Sequence, residues 1–154
     1  MKIFNKENIK NFDDVLNFLN TIACINTGGC GISALAMYRW LKKHGLTTEQ
    51  TAFYFLEDDE NNHINNKQYF SNKEVMVKAS SHVVLFHNDQ TIDCSGFVPI
   101  DVWNYHLLEN SEEFLLAMIN NCIWTWNYKF NRKEQVPEIA KTLEIDLSDV
   151  IIRY

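Results

Sequence analysis

Eight residues near the start of the chain carry much of its structural information, and they read Gly28-Gly29-Cys30-Gly31-Ile32-Ser33-Ala34-Leu35. Two adjacent glycines permit backbone angles that other residues avoid, so they indicate a break in the chain just before the cysteine. The apolar residues that follow recur at helical spacing as far as Trp40, and the basic residues before Gly45 predict where the helix ends. We therefore expect a helix from about Cys30 to about Lys43.

A cysteine at the start of a helix has distinctive chemistry. The first backbone amides of a helix have no partners within the helix, and this end of the helix is positive. A thiol at this position has its thiolate form favoured, and the free amides can hold a developing oxyanion. Cys30 is therefore a candidate nucleophile, and its own amide is a candidate oxyanion donor.

A predicted hairpin supplies two further candidates for a thiol site. Residues 82–86 are typical of a strand, residues 87–90 of a turn, and residues 91–94 of the returning strand. Cross-strand neighbours on one face lie roughly 5 Å apart, so the side chains of His82 and Asp93 can meet. The turn sets the register, however, so the spacing alone leaves their facing open. We expect His82 to be the base and Asp93 to fix its tautomer and orientation.

The remaining patterns predict a mixed α+β fold in which helices come first and strands mostly follow. Further helices are predicted over residues 9–22, over 111–121 with Ser111 as the cap, and over 137–143. Further strands are predicted over residues 51–56, 74–79, 123–130 and 150–152, and residues 57–73 read as a long polar loop. A chain of 154 residues accommodates one core, so we expect a single domain over residues 1–154.

Composition and charge argue against several classes of function. The net charge of −6 disfavours binding to nucleic acid, which normally requires a basic patch. The N-terminal residues lack the apolar region of a signal peptide, and no apolar stretch approaches a membrane span, so we expect a cytoplasmic protein with no membrane contact. The four cysteines include no CxxC pair, which gives a structural zinc site no support. We expect reduced thiols, with Cys24 and Cys122 filling gaps in the core.

The order of the three candidate residues resembles that of the papain-like cysteine peptidase superfamily, and small bacterial and phage-encoded members look most similar. The resemblance covers about residues 20–97 and rests on Gly28-Gly29-Cys30-Gly31-Ile32-Ser33-Ala34-Leu35, on His82-Val83-Val84-Leu85, and on Ile92-Asp93-Cys94-Ser95-Gly96. It implies N-terminal helices, with the cysteine at a helix start, packed on an antiparallel sheet that carries the histidine and the aspartate. It also implies a catalytic triad of Cys30, His82 and Asp93 that needs no metal and no organic cofactor.

The substrate implied by this resemblance is a protein or a small amide. Transglutaminase-like and arylamine acetyltransferase-like proteins share the same order of residues, so hydrolysis and acyl transfer both stay open. The sequence does not indicate an oligomeric state.

One position departs from the papain-like pattern. Members usually carry a glutamine six residues before the cysteine as an oxyanion donor, and this chain has Cys24 there. Asn26 can reach the same space, so we expect the oxyanion hole to be formed by Asn26 and the amide of Cys30. The missing glutamine also motivates an alternative function, in which a catalytically weak or inactive papain-like fold acts as a protein-binding or inhibitory module.

Plainer interpretations stand beside these hypotheses. Taken alone, Cys30 fits a buried cysteine that fills space at a helix start, and His82 fits a hydrogen-bonded strand histidine with no catalytic role. Asp93 alone fits a residue that stabilises the hairpin. Cys94 lies in a sequence typical of the nucleophile of bacterial cell-wall cysteine peptidases, but Pro99 follows closely and no long apolar helix begins there. The other histidines near polar turns are expected to be exposed and unrelated to the site: His44, His63 and His87.

Overall fold

The computed structural model describes residues 4–26, 28–57, 80–97, 107–121 and 130–152. Over these ranges the chain has a mixed α+β fold in which four helices accompany one antiparallel sheet of five strands. The helices are α1 (Phe12–Asn20), α2 (Cys30–Lys43), α3 (Glu112–Asn121) and α4 (Arg132–Leu143). The strands are β1 (Ala52–Glu57), β2 (Ser80–His87), β3 (Gln90–Asp93), β4 (Gly96–Phe97) and β5 (Leu107–Asn110).

The sheet has the strand order β4-β3-β2-β1-β5, so β2 lies at its centre. Phe53 pairs with Leu85 and Leu85 with Ile92, which places these three residues on one face of the sheet. All three are buried in the main hydrophobic core. Helix α2 packs against β2 and β3, so the core lies between this helix and the sheet.

Helix α2 is the central helix of the fold. Every residue of its first two turns is buried, and burial continues further along at Trp40 and Leu41. A helix that is buried on most sides must be covered by several elements, and here α1, α3 and α4 pack against it as well as the sheet. The predicted start at Cys30 and end at Lys43 are both confirmed.

Local capping explains the other helix starts. Asn11 accepts a hydrogen bond from the amide of Asp14 while the Asp14 side chain returns one, which closes a capping box at the start of α1. The predicted cap Ser111 accepts from the amide of Phe114 at 3.1 Å. Helix α4 begins at Arg132 rather than at the predicted residue 137, because Asn131 caps it and Pro137 is accommodated inside the helix.

Three other predictions are wrong. Residues 150–152 form no strand, because the amide of Ile151 bonds to Oδ1 of Asn120 instead of to a neighbouring strand. Cys24 is exposed in a turn with φ +62° rather than filling the core. His87 is buried, because it reaches back to Thr51 with 3.0 Å between Nδ1 and Oγ1.

Several predictions concern segments outside the described residues. They are the strand over residues 74–79, nearly all of the strand over 123–130, all but the first residue of the loop over 57–73, and the positions of Cys122 and His63. In the part of the chain that is described, no helix is both long enough and apolar enough to cross a membrane.

Candidate active site

Cys30 is the first residue of α2, at the helix end where backbone amides lack partners within the helix. The N-cap residue Gly29 makes no side-chain capping bond, and the amide of Ser33 bonds to the Gly29 carbonyl at 2.8 Å. Among the described residues, no backbone carbonyl accepts a hydrogen bond from the amides of Cys30, Gly31 and Ile32. Free amides beside a thiol are the arrangement that can stabilise an oxyanion.

Close packing requires glycine at position 29. A Cβ atom built there would lie 2.7 Å from Cδ2 of Phe130, a ring that is fully buried. Only a residue without a side chain lets the ring press on the turn that leads into Cys30. The double glycine of the sequence thus has a packing reason at its second position.

His82 and Asp93 meet across β2 and β3. The paired residues of β2 and β3 run from His87–Gln90 to Leu85–Ile92, so His82 and Asp93 lie just beyond the end of this pairing. A hydrogen bond of 3.1 Å joins Nε2 of His82 and Oδ2 of Asp93. This bond answers the question of facing that the sequence left open.

A β-bulge lies immediately before the histidine. Leu56 of β1 pairs with His82, whereas the next residue, Glu57, pairs with Ser80, so Ser81 is an extra residue in β2. Bulges bend a strand locally and change the direction of neighbouring side chains. The backbone of β2 is thus irregular immediately before His82.

The imidazole of His82 is influenced by Cys30 as well as by the carboxylate of Asp93. The Cys30 side chain is near enough to the ring to act, together with Asp93, to raise the pKa of His82. Because Asp93 holds Nε2, Nδ1 is the ring nitrogen that can exchange a proton with the sulfur. The structure therefore brings together the three predicted residues from α2, β2 and β3, and each is only 7–8% exposed.

The electrostatics of this cluster favour a charged histidine. Burial acts to lower the pKa of His82, but the hydrogen bonds to Asp93 and Cys30 and the negative charges of both groups outweigh it and raise the pKa to about 9. An unperturbed histidine titrates near 6.5. His82 is therefore an imidazolium at neutral pH, and a positive charge lies beside the sulfur.

A two-residue turn between β3 and β4 holds the aspartate. Oδ1 of Asp93 accepts a hydrogen bond from the amide of Ser95 at 2.8 Å, and Gly96 completes the turn with φ +111°. Oγ of Ser95 in turn accepts from Nδ2 of Asn26 at 2.6 Å. One N–H group of Asn26 is thus used by Ser95, and the expected oxyanion role of Asn26 stays a prediction.

Cys94 has the properties of a structural thiol. It is buried beside the Ser33 hydroxyl, and burial together with the Asp93 charge raises its pKa to about 12. It also lies in a turn and begins no helix. A thiol that stays protonated at neutral pH is a poor nucleophile, which argues against Cys94 as the reactive group.

A cavity elsewhere in the described part of the chain is separate from the thiol site. Among the described residues, no group of three or more His, Cys, Asp or Glu side chains could hold a metal ion. A cavity of about 390 Å³ lies beside Arg39 and Lys43 in the last turns of α2. At 1.5 Å per residue, these turns are roughly 13–20 Å from Cys30 along the helix. This distance separates the cavity from the thiol site. Arg39 is moreover paired with Asp149 at 2.7 Å.

No protein family model matches the chain, and neither a curated protein nor a solved structure matches it.

Sequence reasoning missed the participation of Ser95. A serine two residues after an aspartate is compatible with a turn in which the carboxylate accepts the serine amide. That signal was present in the sequence, although it did not reveal the bond from Asn26.

Proposed function

We propose that this chain is a cysteine hydrolase or acyl-transferase of papain-like fold, with Cys30 as nucleophile, His82 as base and Asp93 as the orienting group. One observation carries the proposal: three side chains from distant parts of the chain come together, with His82 hydrogen-bonded to Asp93 and with Cys30 acting on the same imidazole ring. A filler cysteine and an ordinary strand histidine have no physical reason to form such a chain of contacts.

The first half of the reaction uses the thiolate–imidazolium pair. The Cys30 sulfur attacks the carbonyl carbon of an amide, ester or thioester, so that a C–S bond forms and the electron pair of the carbonyl moves to oxygen. The imidazolium of His82 then donates its Nδ1 proton to the leaving nitrogen, oxygen or sulfur as its bond to carbon breaks. The product of this half is a thioester on Cys30.

The second half regenerates the thiol site. Neutral His82 takes a proton from the incoming water or acceptor nucleophile, which attacks the thioester carbonyl. The C–S bond breaks, the sulfur leaves as thiolate, and the ion pair with His82 forms again. With water the reaction is hydrolysis, and with an amine or alcohol it is acyl transfer.

Two features of the site support these steps. Asp93 holds Nε2 of the ring, which fixes the tautomer and offsets the positive charge of the imidazolium. The first backbone amides of α2, starting with that of Cys30, are suited to the oxyanion, and one such donor typically contributes about 3 kcal/mol to the transition state.

A protein-binding or inhibitory module is the second candidate function. Cys24, at the position where papain-like members carry a glutamine, is exposed and provides no amide donor. The Cys30 thiol is also only 8% exposed, which limits the approach of bulky substrates. Both observations favour weak or absent turnover in a fold that is kept for binding.

Alkylation of the cysteines by iodoacetamide, mapped by mass spectrometry, tests the proposal. We expect Cys30 to react near neutral pH although it is buried, and His82→Ala to abolish this reactivity. The exposed Cys24 provides an internal reference in the same molecule. An ester reporter should leave an acyl group on Cys30, and both Cys30→Ala and His82→Ala should abolish its turnover while leaving the fold intact. A Cys30 that stays inert at every pH, or turnover that survives in both variants, would exclude the proposed enzyme.

A further inference from the structure

We propose that Asn26 is a positioning residue, which ties the loop before Cys30 to the turn that carries Asp93 through its bond to Ser95. This inference rests on the proposed function and assigns Asn26 a different task from the oxyanion role that the sequence suggested. The bond is short, 2.6 Å from Nδ2 to Oγ, and joins residues 69 positions apart in the chain.

The contacts form a closed ring around the site. Cys30 acts on the ring of His82, and from His82 a chain of hydrogen bonds runs to Asp93, from Asp93 to the amide of Ser95, and from Ser95 to Asn26. The backbone from residue 26 to residue 30 then returns to the nucleophile. Each member of the ring restrains its neighbours, so the position of Asp93 relative to the sulfur depends on the Asn26–Ser95 bond.

The unused oxygen of Asn26 supports this role. Within the described residues, Oδ1 of Asn26 is buried without a hydrogen-bond partner. A buried carbonyl oxygen left unpaired is unfavourable, so the side chain keeps this conformation because of its bond through Nδ2. The bond to Ser95 is therefore the contact that determines where the side chain lies.

The test compares Asn26→Ala with Ser95→Ala in the pH profile of Cys30 alkylation. This reaction requires the thiolate–imidazolium pair but creates no oxyanion, so an oxyanion donor would not affect it. We expect each variant to lower the Cys30 rate at pH 7 roughly fivefold, which corresponds to about 1 kcal/mol, the usual net value of one hydrogen bond. We expect the double variant to lose no more than either single variant, and Ser95→Thr, which keeps the hydroxyl, to restore the wild-type profile.

Asn120→Ala is the matched control. This asparagine also makes long-range side-chain bonds, to the carbonyl of Asp149 and the amide of Ile151, but it lies away from the site. It should leave the Cys30 profile unchanged, and melting temperatures of all variants separate a loss of positioning from a loss of folding.

The possible outcomes are distinct. If wild-type Cys30 shows no dependence on His82, the proposed function fails and this inference fails with it. If wild-type Cys30 depends on His82 but Asn26→Ala and Ser95→Ala both keep its profile, the inference alone is wrong. A loss of ester turnover in Asn26→Ala, without any change in alkylation or in Ser95→Ala, would likewise overturn it and restore the oxyanion role.

Discussion

The charge on His82 leads to a prediction that distinguishes this site from an unpaired thiol. The perturbation is His82→Gln, which keeps a polar side chain able to bond to Asp93 but removes the positive charge. In the wild-type protein the pKa of His82 rises from 6.5 to about 9. At 1.36 kcal/mol per pKa unit, this corresponds to about 3 kcal/mol in favour of the imidazolium.

The raised pKa of His82 determines the pH range in which an anionic reagent is favoured at Cys30. Between pH 6.5 and about 9 an unpaired histidine is neutral, whereas His82 stays charged in the folded protein; above about pH 9 the folded protein also loses this charge. An anionic reagent should therefore be favoured at Cys30 below pH 9 and should lose this advantage as the pH rises. Attraction between two unit charges 4 Å apart lies between about 1 kcal/mol in water and about 4 kcal/mol near a protein surface, so the advantage should be at least roughly fivefold.

The assay measures the ratio of the alkylation rates of Cys30 by iodoacetate and by iodoacetamide between pH 6 and pH 10.5. Taking the ratio removes the dependence on the thiolate fraction, because both reagents attack the same species. We expect a step with its midpoint near pH 9 in the wild-type protein and no step in His82→Gln. The exposed Cys24 should show no step in either protein. A flat ratio for wild-type Cys30, or a step near pH 6.5, would refute the argument that Asp93 and Cys30 stabilise the imidazolium.

Three further predictions follow from contacts elsewhere in the fold. Gly29→Ala should lower the free energy of unfolding, measured by urea denaturation, by about 1–3 kcal/mol, because the added Cβ would lie 2.7 Å from the Phe130 ring. Adding Phe130→Leu in a double variant should recover part of this loss. Arg39→Lys loses the bidentate contact with Asp149 and should lower the free energy of unfolding by about 1 kcal/mol or less. Because the Arg39 guanidinium lowers the pKa of Asp149, this contact stabilises the fold at pH values above the ordinary carboxyl range. The difference in stability between variant and wild type should therefore vanish as acid protonates Asp149. Cys94→Ala should leave the pH profile of Cys30 alkylation within about twofold of wild type, since a thiol whose burial raises its pKa to about 12 carries no charge at neutral pH; a loss comparable to that in His82→Ala would show that Cys94 takes part in the chemistry.

Local signals in the sequence were sufficient for most of the elements. The double glycine and the periodic apolar residues after it predicted α2 with both of its ends, and Ser111 predicted the start of α3 to within one residue. Short runs of apolar, β-branched and aromatic residues, with a polar turn between two of them, predicted β1 and the β2–β3 hairpin. These signals are reliable because they depend on neighbours within a few positions in the chain.

The failures have a common physical origin in contacts between distant residues. Ile151 carries the apolar character of a strand, yet its amide is taken by Asn120, a side chain 31 positions earlier. His87 lies in a polar stretch, yet it is buried because Thr51 provides a partner for its ring. Composition within a segment contains no information about such partners.

The sequence by itself determined which residues could carry the chemistry: a cysteine at a helix start, and a histidine and an aspartate on the two strands of a hairpin. Only the tertiary structure decided that the three meet. A hydrogen bond between β2 and β3 joins His82 to Asp93, and Cys30 at the start of α2 acts on the same ring. The link from Asn26 to Ser95 likewise exists only in three dimensions, because a hydrogen bond between residues 69 positions apart depends on the path of the whole chain between them.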